Sequence, residues 1–409
     1  MIRDLLLDHG AGPGLSHLRE YQRRALETIA TCGTVAAGLH WESCDHCGDH
    51  RLVPNTCGHR GCPHCQARER AAWVEARTSE LLPCGYFHAV LTLPPELRGA
   101  AAAFPTVVLG ALMRAASDAI DWLGRDVRFL GAEVGQLAIL HTWTRDLRWH
   151  PHVHVVVTAG GWDAQRQRWI PAKTYGRQRR AFLMPVDVLR AAFARRLRAL
   201  LLKEARAGAF GDGGGRSELA SADALARHLA RAMKRPWVIR IEPPFGGPRQ
   251  LLKYLGAYVN RTAVSPKRVT YDRAAGTATL TWSANATPDQ VQHLTLPAAE
   301  FIARFAQHLL PPRFQRIRFR GLWSTAHRAA KLHIARAAMT ATRPAGPGPE
   351  PPCEPVEPKR DPCPVCGIGH YHRVPGPCPR PPRPERRRLL TLIRSGALHP
   401  THVEATTAA

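Results

Sequence analysis

The chain has 409 residues and a formal charge of +25, from 57 lysines and arginines against 32 aspartates and glutamates. Its length is sufficient for two or three domains, and the excess positive charge points to a polyanionic partner, most often nucleic acid. No apolar stretch is long enough to span a bilayer, and Met1 to His9 lacks the features of a secretory signal. We therefore expect a cytoplasmic protein without a membrane partner, in which paired cysteines are metal ligands before they are disulfides.

A helix is predicted from Leu15 to Cys32, and a cysteine-rich block follows it. The block contains two Cys-x-x-Cys pairs, Cys44 with Cys47 and Cys62 with Cys65. Each pair places two thiolates on one tight turn, and four thiolates close a tetrahedral zinc site of the structural kind. We predict that these four cysteines bind one zinc ion in a small zinc-ribbon-like domain. Three nearby side chains are alternative ligands: Cys57, His59 and His64.

Periodicity predicts mixed helices and strands through the middle of the chain. The predicted helices cover residues 66–82, 105–123, 185–207, 222–234 and 297–310. The predicted strands cover residues 86–93, 134–143, 149–157, 237–241, 268–271 and 277–282. The second and third of these strands are expected to pair as a hairpin.

The strand at 149–157 carries two histidines on one face. Side chains alternate along a strand, so His152 and His154 point the same way, and Val153, Val155 and Val157 occupy the opposite, buried face. Two neutral imidazoles at this spacing form half of a metal site. The alternative is a surface strand with chance histidines. Pairing with the preceding strand would bring His141 or a neighbour close to the two histidines.

Further along, Tyr254 and Tyr258 stand four residues apart in a predicted helix, so that their phenols share one face. The alternative interpretation is two aromatic side chains that pack into the core.

The last part of the chain begins with a proline-rich linker at 343–359. Cys363 and Cys366 then form a third Cys-x-x-Cys pair, which could hold a second zinc ion. Candidates to complete that site lie nearby: Cys353, His370, His372 and Cys378. The final segment is basic, and we expect it to be disordered.

The His-hydrophobic-His strand and the Tyr-x-x-x-Tyr helix together resemble the HUH endonucleases that use two tyrosines. More narrowly, the chain resembles the transposases of the IS91 family. The resemblance covers most of the chain, and its order and spacing make it specific. Its pieces are the cysteine block, the strand from Phe87 to Pro94, the run from His141 to Trp143, the histidine and tyrosine motifs, and the segments 300–305 and 316–321.

This resemblance implies an α+β fold, with a central antiparallel sheet flanked by helices. The implied domains are an N-terminal zinc-binding domain at 1–82, a catalytic domain at 83–340, and a linker with a basic tail at 341–409. The implied partner is DNA, as the single-stranded ends of a mobile element and as its target.

The resemblance also implies a reaction. Tyr254 or Tyr258 would attack a DNA phosphate and form a 5′-phosphotyrosine, assisted by Mg²⁺ or Mn²⁺ on His152 and His154. A third ligand is required, and His141 is the first candidate, ahead of Glu133 and Gln136. A replication initiator or relaxase with the same chemistry is one alternative. A zinc-dependent DNA-binding regulator without catalysis is another.

Overall fold

A computed structural model describes residues 2–66, 77, 80–175, 180–245, 262–283, 290–341, 361–376 and 380–401. The tyrosine helix predicted around Tyr254 and Tyr258 lies outside the described residues, as does most of the helix predicted at 66–82. None of the helices among the described residues has the length and apolarity to cross a membrane.

The α-helices of the described residues are α1 (Ile2–His9), α2 (Glu20–Ala30), α3 (Arg98–Ala103), α4 (Pro105–Arg125), α5 (Val186–Arg206), α6 (Ala222–Ala232), α7 (Ala298–Gln307), α8 (Arg328–Ala341) and α9 (Arg383–Arg394). The strands are β1 (Leu39–Cys44), β2 (His50–Pro54), β3 (Tyr86–Thr92), β4 (Gly135–Trp143), β5 (Trp149–Thr158), β6 (Gly160–Asp163), β7 (Arg168–Pro171), β8 (Lys173–Tyr175), β9 (Arg180–Phe182), β10 (Ile239–Phe245), β11 (Val269–Asp272), β12 (Thr277–Ser283), β13 (Val291–Pro297), β14 (Ile317–Gly321) and β15 (Tyr371–Arg373).

A five-stranded sheet with the order β10-β3-β5-β4-β14 forms the centre of the molecule, and all of its neighbouring strands are antiparallel. The predicted hairpin is confirmed, because β4 pairs with β5 and His141 stands opposite His152. His154 lies between Val90 of β3 and Ile139 of β4. Since directly opposed residues share a face of an antiparallel pair, the register places these histidines on one side of the sheet. The α+β fold class is also confirmed.

The other side of the sheet packs against α4 and α5. Val153, Val155 and Val157 are fully buried there, as predicted, in one core with Leu112 of α4 and Phe193 of α5. The two helices are amphipathic, and their apolar side chains recur at the spacing of one helical face. Burial of each such valine or phenylalanine contributes roughly 1.5–3 kcal/mol. This packing holds β5 in place through the face opposite the histidines.

On the histidine side of the sheet, an apolar patch packs over one end of β4 and β5. Tyr86 stacks on Trp323 with ring centroids 5.8 Å apart, and Val156 and Ile139 join them in a small core with Leu332 of α8. The histidines occupy the other end of β4 and β5, beyond this apolar patch.

A second core joins early and late parts of the chain. It combines side chains of α1, α2, α7, β12 and α9, including Leu5, Ile29, Phe301 and Leu390. The expectation of disorder at the end of the chain is therefore wrong for residues 383–394, which form a helix. Leu390 and Ile393 form a short apolar stripe among the arginines of α9, and that stripe is buried against α1 and its neighbours. The domain division at 82 and 340 stays a prediction, and this core draws on all three segments.

Candidate functional site

Three histidines from two neighbouring strands converge at the other end of the sheet, where His141 and His154 are buried and His152 is partly buried. One ring nitrogen from each of His141, His152 and His154 lies within 4.8 Å of the others. The rings of His141 and His154 are 4.5 Å apart between centroids, and those of His152 and His154 are 4.9 Å apart. Three imidazoles at this separation can bind one divalent cation on one side and leave its other positions to a substrate.

Burial keeps His152 in the form that binds a metal. The environment of this ring lowers its pKa to about 4, mainly through desolvation, so the imidazole is neutral at neutral pH. Nδ1 of His152 lies 2.7 Å from the carbonyl oxygen of His150. A carbonyl only accepts, so Nδ1 donates, and the lone pair of the neutral ring is on Nε2.

Two residues that the sequence analysis missed orient His154. Nε2 of His88 on β3 lies 2.8 Å from Nδ1 of His154, and Nδ1 of His88 lies 3.1 Å from Oε2 of Glu242 on β10. A carboxylate accepts, so His88 donates from Nδ1 and accepts at Nε2 from the Nδ1–H of His154. Burial lowers the pKa of His88, which favours this neutral tautomer. This chain of hydrogen bonds places the proton of His154 on Nδ1 and the lone pair on Nε2.

Of the three candidates for a third ligand, His141 is the one that lies beside His152 and His154. Gln136 stands opposite Val157 in the register and therefore faces the buried side of the sheet. The carboxylate of Glu133 forms ion pairs with Arg125 at 3.0 Å and with Lys331 at 2.8 Å.

The structure corrects the predicted grouping of the cysteines. Cys44 and Cys47 do not share a site with Cys62 and Cys65. Instead, the described residues contain two clusters of four cysteines, whose sulfurs in each case lie within 4.8 Å of one another. The first cluster consists of Cys32, Cys57, Cys62 and Cys65, and the second of Cys44, Cys47, Cys363 and Cys366. The grouping depends on how α2, the strands β1 and β2 and the late segment pack together, which spacing along the chain does not encode.

The first cluster has the dimensions of a zinc site. The sulfur of Cys65 lies 3.6 Å from those of Cys32 and Cys57, and a tetrahedron with zinc–sulfur bonds of about 2.3 Å has edges of about 3.8 Å. All four cysteines are buried, and the backbone N–H of Gly58 lies 3.3 Å from the sulfur of Cys65. Four thiolates this close repel one another without a cation, and the neighbouring thiol of Cys32 raises the pKa of Cys57.

Of the alternative ligands named from the sequence, Cys57 is a member of a cysteine cluster and the described histidines are not. Cys57 belongs to the first cluster, whereas Nδ1 of His59 accepts the backbone N–H of Gly61 at 3.0 Å and His64 is exposed. His370 and His372 do not belong to the second cluster. Cys353 and Cys378 lie outside the described residues.

A basic groove follows the edge of the central sheet. It has a volume of about 760 Å³ and is lined by Arg318 and Arg320 of β14, by Arg316 just before that strand, and by Arg60 and Arg313. Guanidinium groups spaced along an edge strand suit a phosphate backbone, since they offer several donors to each anionic oxygen.

Two family models match the chain. One described as a putative transposase matches residues 135–331, which contain His141, His152 and His154. One described as a transposase zinc-binding domain matches residues 6–93, which contain the whole first cysteine cluster.

Two relatives match over most of the chain. A putative transposase, y4qJ, of Sinorhizobium fredii is 37% identical over 337 residues, which cover 82% of this chain and 83% of that protein. The transposase for insertion sequence element IS801 of Pseudomonas savastanoi pv. phaseolicola is 28% identical over 350 residues, with 82% and 77% covered. No solved structure matches the chain.

The zinc-binding domain, the histidine sheet and these matches define a DNA transposase that contains structural zinc. The chain belongs to the IS91 family of transposases. Membership favours a transposase over the initiator, relaxase and regulator considered from the sequence.

The first cysteine cluster contains Cys32, which is not part of a Cys-x-x-Cys pair, and we predict that Cys32 is a zinc ligand. Replacing Cys32 with alanine should lower the zinc content of the purified chain by about one equivalent per molecule, because a structural site needs four ligands. Cys84→Ala is the matched control, since Cys84 is a free cysteine outside both clusters. Unchanged zinc in the Cys32→Ala protein, measured by elemental analysis, would remove Cys32 from the site.

Proposed function

We propose that this transposase nicks and rejoins single-stranded DNA at the histidine cluster, through a tyrosine nucleophile and a 5′-phosphotyrosine intermediate. The observation that supports the proposal is the convergence of His141, His152 and His154 on one point of the central sheet. The proposed substrates are the single-stranded ends of a mobile element and a target strand, in a rolling-circle type of transposition.

The residues present fit a Mg²⁺ or Mn²⁺ ion on the ring nitrogens of the three histidines, and imidazole ligands favour Mn²⁺ of the two. Such an ion would neutralise a non-bridging phosphate oxygen and make phosphorus easier to attack. The protein's part is to hold the three rings in a fixed arrangement before DNA arrives. His88 and Glu242 orient one ring, and the His150 carbonyl orients another.

We assign the nucleophile to Tyr254 and Tyr258, on the four-residue spacing of the two phenols. The attacking phenolic oxygen forms a bond to phosphorus, the bond to the 3′ oxygen breaks, and that oxygen leaves as a 3′ hydroxyl after taking up a proton. The phosphotyrosine keeps the energy of the original phosphodiester, so the reverse attack by a 3′ hydroxyl needs no ATP. Two tyrosines allow two covalent joints at once, one to the donor and one to the target.

The basic groove at the edge of the sheet is proposed as a second DNA contact outside the cleavage site, since Arg316, Arg318 and Arg320 can contact phosphates. Arg318 and Arg320 stand opposite Ala138 and Gln136, so they lie on the α4 side of the sheet and not on the histidine side. We place the reaction in the cytoplasm, where the cysteines of the zinc clusters stay reduced.

Replacing the proposed metal ligands should abolish DNA cleavage and leave DNA binding intact. The His152→Ala, His154→Ala double variant should lose cleavage of single-stranded DNA, while its DNA affinity stays close to that of the unchanged chain, because lysines and arginines supply most of it. His293→Ala is the control, a change of an exposed histidine on β13. Cleavage and binding are measured on the same labelled oligonucleotide, and undiminished cleavage by the double variant would overturn the metal assignment.

The nucleophile can be located by the covalent adduct. Tyr254→Phe and Tyr258→Phe should each still form a protein–DNA adduct at a reduced rate through the remaining tyrosine, and the double variant should form none. Tyr271→Phe is the matched control, since this tyrosine donates a hydrogen bond to Asp8 at 2.7 Å and should keep the full yield. Mass spectrometry of the adduct gives the attachment site, and attachment at a residue other than Tyr254 or Tyr258 would contradict the proposal.

Glu242 is expected to act as a positioning residue for the metal. Glu242→Ala removes the acceptor for His88 and should weaken Mn²⁺ binding by about 10- to 100-fold, with a smaller loss in Glu242→Gln, whose amide oxygen still accepts. Titration of Mn²⁺ gives the affinity, and thermal unfolding without metal shows whether stability has changed. Equal Mn²⁺ affinity in Glu242→Ala and in the exposed-surface control Glu385→Gln would exclude the role.

A further inference from the structure

The second cysteine cluster joins two parts of the chain that are more than three hundred residues apart in sequence. The sulfur of Cys44 lies 3.8 Å from that of Cys366, and the sulfur of Cys47 lies 3.9 Å from that of Cys363. These distances are the edges of a tetrahedron with zinc–sulfur bonds of about 2.3 Å. They are too long for disulfide bonds, and all four cysteines are free.

The two Cys-x-x-Cys turns in this cluster have the same backbone. In each, the residue after the second cysteine is a glycine in the left-handed region, Gly48 at φ +73° and Gly367 at φ +68°. Its N–H donates to the carbonyl of the first cysteine, at 3.1 Å in the Cys44 turn and 2.8 Å in the Cys363 turn. Only glycine adopts this conformation without strain, so both turns are built to present two sulfurs to one point.

The surrounding contacts connect the same two segments. The short strand β15 adds to β1 and β2 as a third strand, with Tyr371 opposite Cys44. Asp45 accepts hydrogen bonds from the backbone N–H of His370 at 2.7 Å and from Nε2 of His372 at 2.8 Å. The ring of His370 lies against the carbonyl of Asp361, with Nδ1 at 3.2 Å. Both rings therefore contact groups other than the cysteine cluster, although both histidines are close in sequence to the cysteine pair.

Hydrophobic burial cannot hold this junction together. Val365 is 66% exposed and Ile368 is 65% exposed, and β15 has only three residues. Small units without an apolar core depend on cross-links or on metal ions for stability. The four sulfurs are the feature that can supply such a link, because metal binding would contribute directly to folding.

We propose that Cys44, Cys47, Cys363 and Cys366 bind a structural zinc ion that fastens the late segment of the chain to the zinc-binding domain. The matched zinc-binding domain covers residues 6–93 and so contains only half of this site. The other half lies beyond both matched regions. The late segment is therefore an integral part of the zinc-binding domain, and its absence leaves Cys44 and Cys47 without two ligands.

Helix α9 supports the same attachment from a second side. Arg387 forms an ion pair with Glu27 of α2 at 2.8 Å, and Arg394 donates to the carbonyl of Leu7 in α1 at 3.1 Å. The zinc site and α9 together hold residues 361–376 and 380–401 against the N-terminal part of the chain. This inference is independent of the histidine cluster, so failure of the catalytic proposal would not affect it.

Zinc counting on the full chain tests whether the two cysteine pairs share one ion. The unchanged chain should contain about two zinc ions, one for each cluster. Two double variants each remove one cysteine pair: one carries Cys44→Ala with Cys47→Ala, and the other carries Cys363→Ala with Cys366→Ala. Each of them should contain one zinc ion. The variant with all four changes should also contain one, since both pairs belong to the same site. Cys84→Ala should keep two.

Two outcomes of the zinc count would overturn the proposal. One is two zinc ions in the Cys363→Ala, Cys366→Ala protein. The other is a further loss when both pairs are changed, which would mean that they serve different ions. Iron in place of zinc would overturn the choice of metal.

Thiol alkylation on the unchanged chain gives a readout that does not depend on the folding of a variant. Cys47 is exposed, so burial alone cannot protect it from alkylation. With zinc bound, Cys44, Cys47, Cys363 and Cys366 should resist the reagent, and a chelator should make all four reactive together. Rapid alkylation of Cys47 or of Cys363 and Cys366 in the zinc-containing chain, mapped by mass spectrometry, would contradict the site.

Discussion

The alternation of side chains along β5 is the constraint on which the rest of the structure depends. This strand lies at the centre of the five-stranded sheet, so both of its faces are specified. Its odd-numbered valines are fully buried against α4 and α5, and this fixes His152 and His154 on the opposite face. A shift of one residue in register would bury the imidazoles and expose the valines, at a cost of several kcal/mol. The hydrophobic core therefore positions the polar site.

The basic residues of the protein fall into two kinds, which differ in charge at neutral pH. The arginines and lysines that give the charge of +25 are always protonated and attract phosphate. Burial lowers the pKa of two histidines at the sheet, His152 and His88, and so favours their neutral form. A protonated cluster would repel a divalent cation, so burial here has a chemical consequence beyond stability. The relay from Glu242 through His88 crosses three strands and couples the sheet edge to the site.

Local features of the sequence predicted the central part of the fold and the histidines. Two-residue alternation identified β5, the apolar faces of α4 and α5 were evident from their period, and the turn at 144–148 implied that His141 would stand near His152. His88 lies in a strand that was recognised, but one histidine among apolar residues gives no sign of a role. Glu242 is brought to His88 only by the pairing of β10 with β3.

The cysteines show where sequence reasoning reaches its limit. Spacing within a Cys-x-x-Cys pair is local, so the pairs themselves could be recognised. The choice of which pairs meet is made by tertiary structure, and Cys32 carries no local signature because it stands alone after α2. The late segment was misjudged for a similar reason: its arginines dominate its composition, whereas its attachment depends on Leu390, Ile393 and two cysteines.

Anomalous diffraction from crystals grown with Mn²⁺ and a short single-stranded oligonucleotide tests the central claim most directly. The account predicts a manganese peak bonded to Nε2 of His152 and Nε2 of His154 and to one ring nitrogen of His141, with a DNA phosphate oxygen among the remaining ligands. Manganese bound elsewhere, or coordination that omits His152 and His154, would contradict it.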